Sequence, residues 1–433
     1  MNVLKKRITP GRLIALGFAM VILLGTVLLF LPVSHKPGAE VSFTDALFTA
    51  TSAVCVTGLL TVDAGSVFSA FGQVVLLFLI QIGGLGITSI GVGILALTGQ
   101  RLNFRERLLI KEALNYPTLK GVWSLIRLVL GFTLGVELAG AAATFCILIR
   151  EYSVGRAAWL SVFHSITAFN NAGIDVFGRG DNLIPYAYNV PMNLVTCALI
   201  ILGGIGFFVV RDLWMGRRTR RYTLHTRVVV AMTAVLLVAG TVLIKITEGD
   251  GITWLGAFFA SVTARTAGFS TFSFGEFTRA GLLVMIVLMF IGASPGSTGG
   301  GMKTTTVFVA LAALRCASTN HPPEAFRRRI PDEAQHKAFV VLSLGLIVVL
   351  AVSALLCVLE PEYGMADILF ETVSAVATVG LSTGITPELG TAARIVLVLT
   401  MYIGRLGPLT IASLWVREPD TGVSLPEENL PIG

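Results

Sequence analysis

Four segments carry the residue types and spacing that could do chemistry: FTATSAVCVTG at 48–58, FHSITAFNNAG at 163–173, FFASVTARTAG at 258–268 and FETVSAVATVG at 370–380. Each runs from phenylalanine to glycine in ten steps, with small and hydroxyl residues between. Covalent or acid–base catalysis requires a nucleophile beside a base, or paired carboxylates, and none of the four holds such a set. What they can offer is main-chain oxygen. Glycine adopts torsions that a side chain forbids, so a short strand ending in glycine can turn its carbonyls to one side. Four such strands around one axis replace the hydration shell of a cation. The oxygens would come from Val56, Thr57 and Gly58, from Asn171, Ala172 and Gly173, from Thr266, Ala267 and Gly268, and from Thr378, Val379 and Gly380. A cage that needs no carboxylate suits a monovalent cation better than a divalent one.

A fifth stretch, GASPGSTGGGMKTTT at 292–306, interrupts an oily run, LLVMIVLMFI before it and VFVALAAL after it. Gly296 and Gly301 have the spacing of a phosphate-binding loop, but Met302 separates Gly301 from Lys303, and no soluble strand precedes it. A nucleotide cradle is therefore not expected. Each glycine disfavours a helix by about 1 kcal/mol relative to alanine, and Pro295 by about 3 kcal/mol. Hydrocarbon cannot satisfy the freed backbone groups, so the loop must face water or protein. There Gly299, Gly300, Gly301 and Lys303 can obstruct the route of an ion, with the lysine adding a positive barrier. Arg405, in YIGRLG at 402–407, is a second obstacle: a charge at mid-span costs about 2.5–3.5 kcal/mol and must face a cavity or a buried partner.

The elements that position these segments are membrane spans. Of 433 residues 54% are hydrophobic and 13% charged, against about 25% charged in a soluble domain. Apolar runs at 11–31, 72–97, 122–149, 190–210, 228–246, 282–314, 338–359 and 395–416 predict eight spans. The first is too long for a signal peptide and lacks a cleavage site. Lys and Arg number 21 in the N-terminus, 101–120, 211–227, 315–337 and at Arg417, and six in the alternate segments, which puts both termini in the cytoplasm. The glycine segments are too short to cross, so each dips in and returns. The span after each dip also repeats: LIQIGGLG, LIILGGIG, FIGASPG and YIGRLG.

The chain thus reads as an all-α integral membrane protein of four span–pore-loop–span repeats with pseudo-fourfold symmetry around one central ion pore. The repeats cover 1–98, 99–212, 213–316 and 317–433, with pore loops at 43–60, 158–175, 253–270 and 365–382. The intramembrane loop occupies 292–306, and cytoplasmic loops fall at 99–121 and 317–337.

These motifs, covering nearly the whole chain, resemble the Trk/Ktr/HKT superfamily of cation uptake proteins. Eight spans after a short N-terminal segment are most similar to the Ktr membrane subunit. The resemblance implies potassium uptake across the cell's inner (plasma) membrane through a filter at the four glycines, and a gate at the intramembrane loop and Arg405. It also implies a homodimer and a cytosolic regulatory ring that binds ATP or ADP. K+ is the implied cargo, with Na+ as a transported or coupling ion; no cofactor is expected in this chain. One filter glycine per strand implies looser selectivity than in tetrameric potassium channels.

Cys55 reads as a small core residue, and the five cysteines form neither a disulfide framework nor a metal motif. Arg265 is expected to point behind the filter toward carbonyls or an acid, Glu371 being the candidate. The arginines at 327–329 either dock an acidic partner or follow the positive-inside rule. Nucleic acid is not an expected partner, whereas membrane lipid is. The alternative function is an ion-coupled transporter of a small solute, since broken helices and repeats also suit that class.

Overall fold

The computed structural model describes residues 10–86, 122–178, 180–216, 222–319 and 323–407, whose regular elements are helices apart from one two-stranded hairpin, Glu324–Ala325 with Arg328–Arg329. The expected span ends at 87–97 and 408–416, the basic loop 99–121, Arg179 and the C-terminal tail lie outside these residues.

A long helix, a short one and a further apolar helix recur four times. The first unit has α1 (Pro10–Phe30), α2 (Phe43–Cys55) and α3 (Ala70–Leu85). The second has α4 (Val122–Leu148), α5 (Val154–Phe169), α6 (Val190–Gly204) and α7 (Phe207–Gly216). In the third are α8 (Leu224–Glu248), α9 (Trp254–Thr263), α10 (Arg279–Phe290) and α11 (Thr304–Thr319). The fourth has α12 (Asp332–Leu359), α13 (Met365–Val376) and α14 (Thr391–Leu406). Among the described residues, the four leading helices are long and apolar enough to cross a membrane, and α6 with α7 makes a fifth span if counted as one bent helix. Leu16, Met20, Leu23 and Val27 recur at three- and four-residue spacing on α1, each more than half exposed, so this oily stripe suits hydrocarbon.

Helix starts follow local chemistry. Ser42 and Asp45 form a reciprocal capping box on α2. Side chains of Ser69, Asn189, Thr223, Thr253 and Thr278 accept first-turn amides of α3, α6, α8, α9 and α10. α12 starts at Asp332, six residues before the expected 338, because its acidic first turn extends the helix beyond the apolar run.

The short helices are the hub. α2 packs on α14, α5 on α3, α9 on α6 and α13 on α10. Each thus lies against the apolar helix that follows the short helix of the preceding unit, and the fourth unit joins the first, which closes a ring in chain order. Phe48, Phe163, Phe259 and Phe370 are fully buried in the core around it. The third is Phe259, one residue after the start of the aligned segment at Phe258, which is half-buried.

The span expected to be continuous over 190–210 turns through 90° between α6 and α7. Gly206 holds φ +95° at the corner, and the Phe207 amide donates to Gly296 O at 2.8 Å. A carbonyl of the 292–306 loop thus satisfies the amide that the bend frees. The third unit's last helix is interrupted over 291–303, with Ile291 and Met302 bridging the neck in parallel.

Candidate functional site

Each short helix ends in one left-handed residue two positions before its glycine: Val56 (φ 55°), Asn171 (58°), Thr266 (68°) and Thr378 (50°). In units one, two and four this residue's amide donates three residues back, Val56 to Ala53, Asn171 to Ala168 and Thr378 to Ala375, all at 3.2 Å. The next amide donates five back, Thr57 to Ser52, Ala172 to Thr167 and Val379 to Ser374, all at 2.8 Å. This double bond is the Schellman termination, which normally uses glycine. A β-branched residue there costs about 1–3 kcal/mol and persists only where the surroundings hold it. Unit three is one residue shorter: Ala267 N reaches only four back, to Thr263 O at 2.9 Å. That deletion moves the buried phenylalanine from 258 to 259.

Beyond these turns the four glycines converge. A Cβ at Gly58 would lie 2.7 Å from Ala172 O, one at Gly173 2.7 Å from Ala267 O, and one at Gly268 2.7 Å from Val379 O. At Gly380 it would collide with Thr57 O. Each glycine therefore faces the carbonyl preceding the next glycine, around a closed ring with no room for a side chain. All four hold positive φ, from 64° to 105°. Ser52 and Ser374 hydroxyls accept the Gly58 and Gly380 amides at 2.9 and 3.0 Å, which turns those carbonyl planes away from the helix. Gly83, Gly203 and Gly404, the first glycines of the repeated span motif, lie against Val54 O, Phe169 O and Val376 O, where any Cβ would collide. Small residues there let the short helices seat against their neighbours.

The 291–303 loop lies on the helix side of this ring. Thr298 Oγ1 donates to Phe169 O at 3.1 Å, and its amide to Gly203 O at 3.3 Å. A Cβ at Gly299 would collide with Thr266 Oγ1, one at Gly300 with Thr378 Oγ1, and one at Gly301 would sit 3.0 Å from Ala377 O. The loop thus touches the ends of three of the four short helices. Gly299, Gly300 and Gly301 are therefore glycines of close approach.

Lys303 Nζ donates to Gly299 O at 2.8 Å and Gly300 O at 3.2 Å, so its positive charge stays with the loop. The freed carbonyls of the tight loop attract it. Arg405 joins the loop to the first unit. It donates to Thr298 O at 2.6 Å, to Gly83 O, and to Gly84 O at 3.4 Å.

Arg265 is 7% exposed and lies behind the strands, in a small cavity lined by Ile200, Ile201, Gly204, Leu237 and Val262. Its Nε has no hydrogen-bond partner among the described residues. Glu371 is not its partner. That carboxylate accepts from Ser382 Oγ at 2.6 Å, Thr383 N at 2.9 Å and Thr386 Oγ1 at 2.7 Å, and so pins the chain after Gly380. Cys55 is buried and unreacted. No group of three or more metal-binding side chains occurs among the described residues.

Two polar clamps escaped the sequence reasoning. Asn170, beside the left-handed Asn171, donates to Glu137 Oε1 at 3.0 Å and Gln81 Oε1 at 2.9 Å, tying the second strand's turn to α4 and α3. Glu137 is the one carboxylate in the apolar run of α4, and that was the available signal. Arg394 pairs with Asp45 at 2.8 Å, linking the fourth unit to the start of α2. Outside the spans, Asp175 follows Gly173 by two residues; burial pushes its carboxyl up to about 6, against the lowering effect of the Phe177 amide.

Comparison with known proteins agrees with this architecture. The TrkH family, described as cation transport protein, matches residues 17–421. The potassium/sodium uptake protein NtpJ of Enterococcus hirae is 38% identical, over 99% of this chain and 98% of its own. The Ktr system potassium uptake protein B of Bacillus subtilis is also 38% identical, over 99% of this chain and 97% of its own. The crystal structure of the potassium transporter TrkH from Vibrio parahaemolyticus superposes with TM-score 0.70 at 20% identity, covering 93% of this chain and 85% of that one. A helical protein with membrane-length spans, matched along nearly its whole length by cation transporters, is a transporter rather than an enzyme, and it belongs to the TrkH family of cation transport proteins.

Proposed function

We propose that the chain is the potassium-translocating subunit of a K+ uptake system, with eight spans and four re-entrant loops around one ion pore. The observation that carries this is the closed ring in which each filter glycine faces the carbonyl preceding the next. A dehydrated monovalent cation on that axis exchanges water oxygens for those of Thr57, Ala172, Ala267 and Val379, with further carbonyls from Val56, Asn171, Thr266, Thr378 and the glycines Gly58, Gly173, Gly268 and Gly380. The short helices aim their C-terminal, partly negative ends at the same centre, which favours cations.

The loop with Gly299, Gly300 and Gly301 is the gate in its closed position, and Arg405 is its clasp. Opening requires the loop to leave Thr266 and Thr378 and to release Thr298 from the guanidinium. Lys303 stabilises the folded loop. Transport is passive: the membrane potential supplies about 2.3 kcal/mol per charge per 100 mV, enough for roughly a fiftyfold inward gradient. A permanently open pore would dissipate that gradient, so control is needed. The name Ktr system, carried by the Bacillus relative, supports a multi-component assembly, here a homodimer governed by a cytosolic nucleotide-binding ring of the Ktr type. The relative named for potassium and sodium uptake supports Na+ as a second transported or coupling ion. Both termini lie in the cytoplasm.

Rubidium-86 uptake into proteoliposomes tests the reading. Serine at Gly58, Gly173, Gly268 or Gly380 inserts a side chain against a carbonyl and should abolish or strongly reduce saturable uptake in each variant. Uptake surviving all four changes in folded protein would refute the pore.

A further inference from the structure

Arg265 stands three positions before its strand's filter glycine, as Cys55, Asn170 and Ala377 do in the other units. Cys55 and Ala377 are small and buried, and Asn170 is held by Glu137 and Gln81. Arg265 has neither solution. It is 7% exposed, and its guanidinium makes no hydrogen bond or ion pair among the described residues. Its cavity, walled by Ile200, Ile201 and Gly204 of α6, Leu237 of α8 and Val262 of α9, has a volume of about 10 Å³. That admits about one water molecule, against five N–H donors on a guanidinium. The buried carboxylates Glu137 and Glu371 accept from neutral donors instead. A guanidinium stays protonated, so a full positive charge is held unpaired behind the third strand.

We propose that the unpaired charge of Arg265 sets how weakly the filter holds its ion, and so how fast the ion leaves. This rests on the ring being an ion path. The carbonyls and the four helix C-termini all attract a cation, and conduction requires that the ion also be released. A positive charge behind one strand opposes that attraction. Buried away from water and salt, it is screened far less than a surface charge. Three residues of chain, from Arg265 to Gly268, span at most about 11 Å. Two charges that far apart, at the effective dielectric of about 20 found in proteins, alter binding about tenfold, and less as the distance grows. Burying an ion without a counter-charge costs stability. The sequence carries that cost at one of four equivalent positions, the one beside the filter where the charge acts on the transported ion. Arg265 touches no ion: it tunes the carbonyls' hold on the cation through space.

The test measures binding and passage separately in the full chain. Binding is read as the Rb+ concentration that gives half of the maximal thermal stabilisation in detergent, and passage as the maximal rate of rubidium-86 uptake into proteoliposomes. Arg265→Gln keeps a polar side chain and removes the charge. Its half-saturating Rb+ should fall about three- to tenfold, and its maximal uptake should fall as well, since a tighter ion leaves more slowly. Arg265→Lys keeps the charge and should stay near the unsubstituted midpoint. Ile201→Glu adds a counter-charge to the cavity with the arginine in place; it should lower the midpoint in the same direction, and it stands in if the glutamine variant does not fold. A side chain that merely props the strand would loosen binding when changed, so a midpoint that is unchanged or raised in the folded glutamine or glutamate variant overturns the proposal. A lysine variant that binds as tightly as the glutamine one overturns it too. Saturable uptake with midpoints that do not move removes this role and leaves the pore, whereas no saturable uptake by the unsubstituted protein removes the pore and this proposal with it.

Discussion

Replacing Arg405 by alanine should unlatch the loop. The guanidinium makes one bond to the loop, to Thr298 O at 2.6 Å, and holds α3 through Gly83 and Gly84 carbonyls. A hydrogen bond to a charged donor contributes about 1.5–3 kcal/mol. Removing the loop bond shifts the closed–open equilibrium by that amount, roughly 10- to 150-fold. If the closed state dominates in the isolated chain, rubidium-86 influx into proteoliposomes, without any regulatory partner, should rise by about that factor until open pores saturate. Arg405→Lys separates the clasp from electrostatics. Lysine keeps the positive charge but cannot span both carbonyl groups, so it should leak nearly as much as alanine. Wild-type flux in the lysine variant beside high flux in the alanine variant would refute the clasp and leave a charge barrier. Background flux in a folded alanine variant would refute both.

Gly300→Ala drives a methyl group into Thr378 Oγ1, so it should displace the loop and raise basal rubidium influx, with little change in rubidium-over-sodium preference. Glu137→Ala leaves Asn170 with fewer acceptors and frees the second strand's turn; loss of about 1–3 kcal/mol of positioning should reduce that preference several-fold, measured by competition of sodium against rubidium-86. Asp45→Ala removes the Arg394 ion pair and the reciprocal cap of α2, which should destabilise the protein by about 1–3 kcal/mol, read as a lower Tm in detergent. Asp175 loses its charge as pH on its side falls through about 6. Losing a negative charge two residues beyond Gly173 weakens the attraction of cations to that mouth, so cation flux should fall, while Asp175→Asn should be reduced already at neutral pH and insensitive to this change.

Much of the site was legible because the constraint is on the backbone. Only glycine fits where one strand's carbonyl lies against the next strand, so Gly58, Gly173, Gly268 and Gly380 stand out in the sequence. The same holds for Gly299, Gly300 and Gly301, which mark close approach to the strands, and for Arg405, conspicuous as a charge in an apolar helix. What escaped depends on where chains meet. The ungapped match begins the third segment at Phe258, but the shorter turn at Thr263–Thr266 puts Phe259 in the position buried in the other units. The bend at Gly206 is held by Gly296 O, a residue ninety positions away that no local pattern reports. Glu371 looked like a counter-ion because it is acidic and buried, yet neutral donors from 382–386 satisfy it, and Arg265 sits on the far side of its own strand. The charge of Lys303 was visible in the sequence, whereas the Gly299 and Gly300 carbonyls that hold it were not.

The central claim is that a cation sits among four peptide carbonyls at one centre, and anomalous diffraction from crystals grown in rubidium or thallium tests it most directly. The account predicts a difference peak on the axis between Gly58, Gly173, Gly268 and Gly380, within coordination distance of Thr57, Ala172, Ala267 and Val379 oxygens. A cation bound elsewhere in the spans, with that axis bare at saturating concentration, would contradict it.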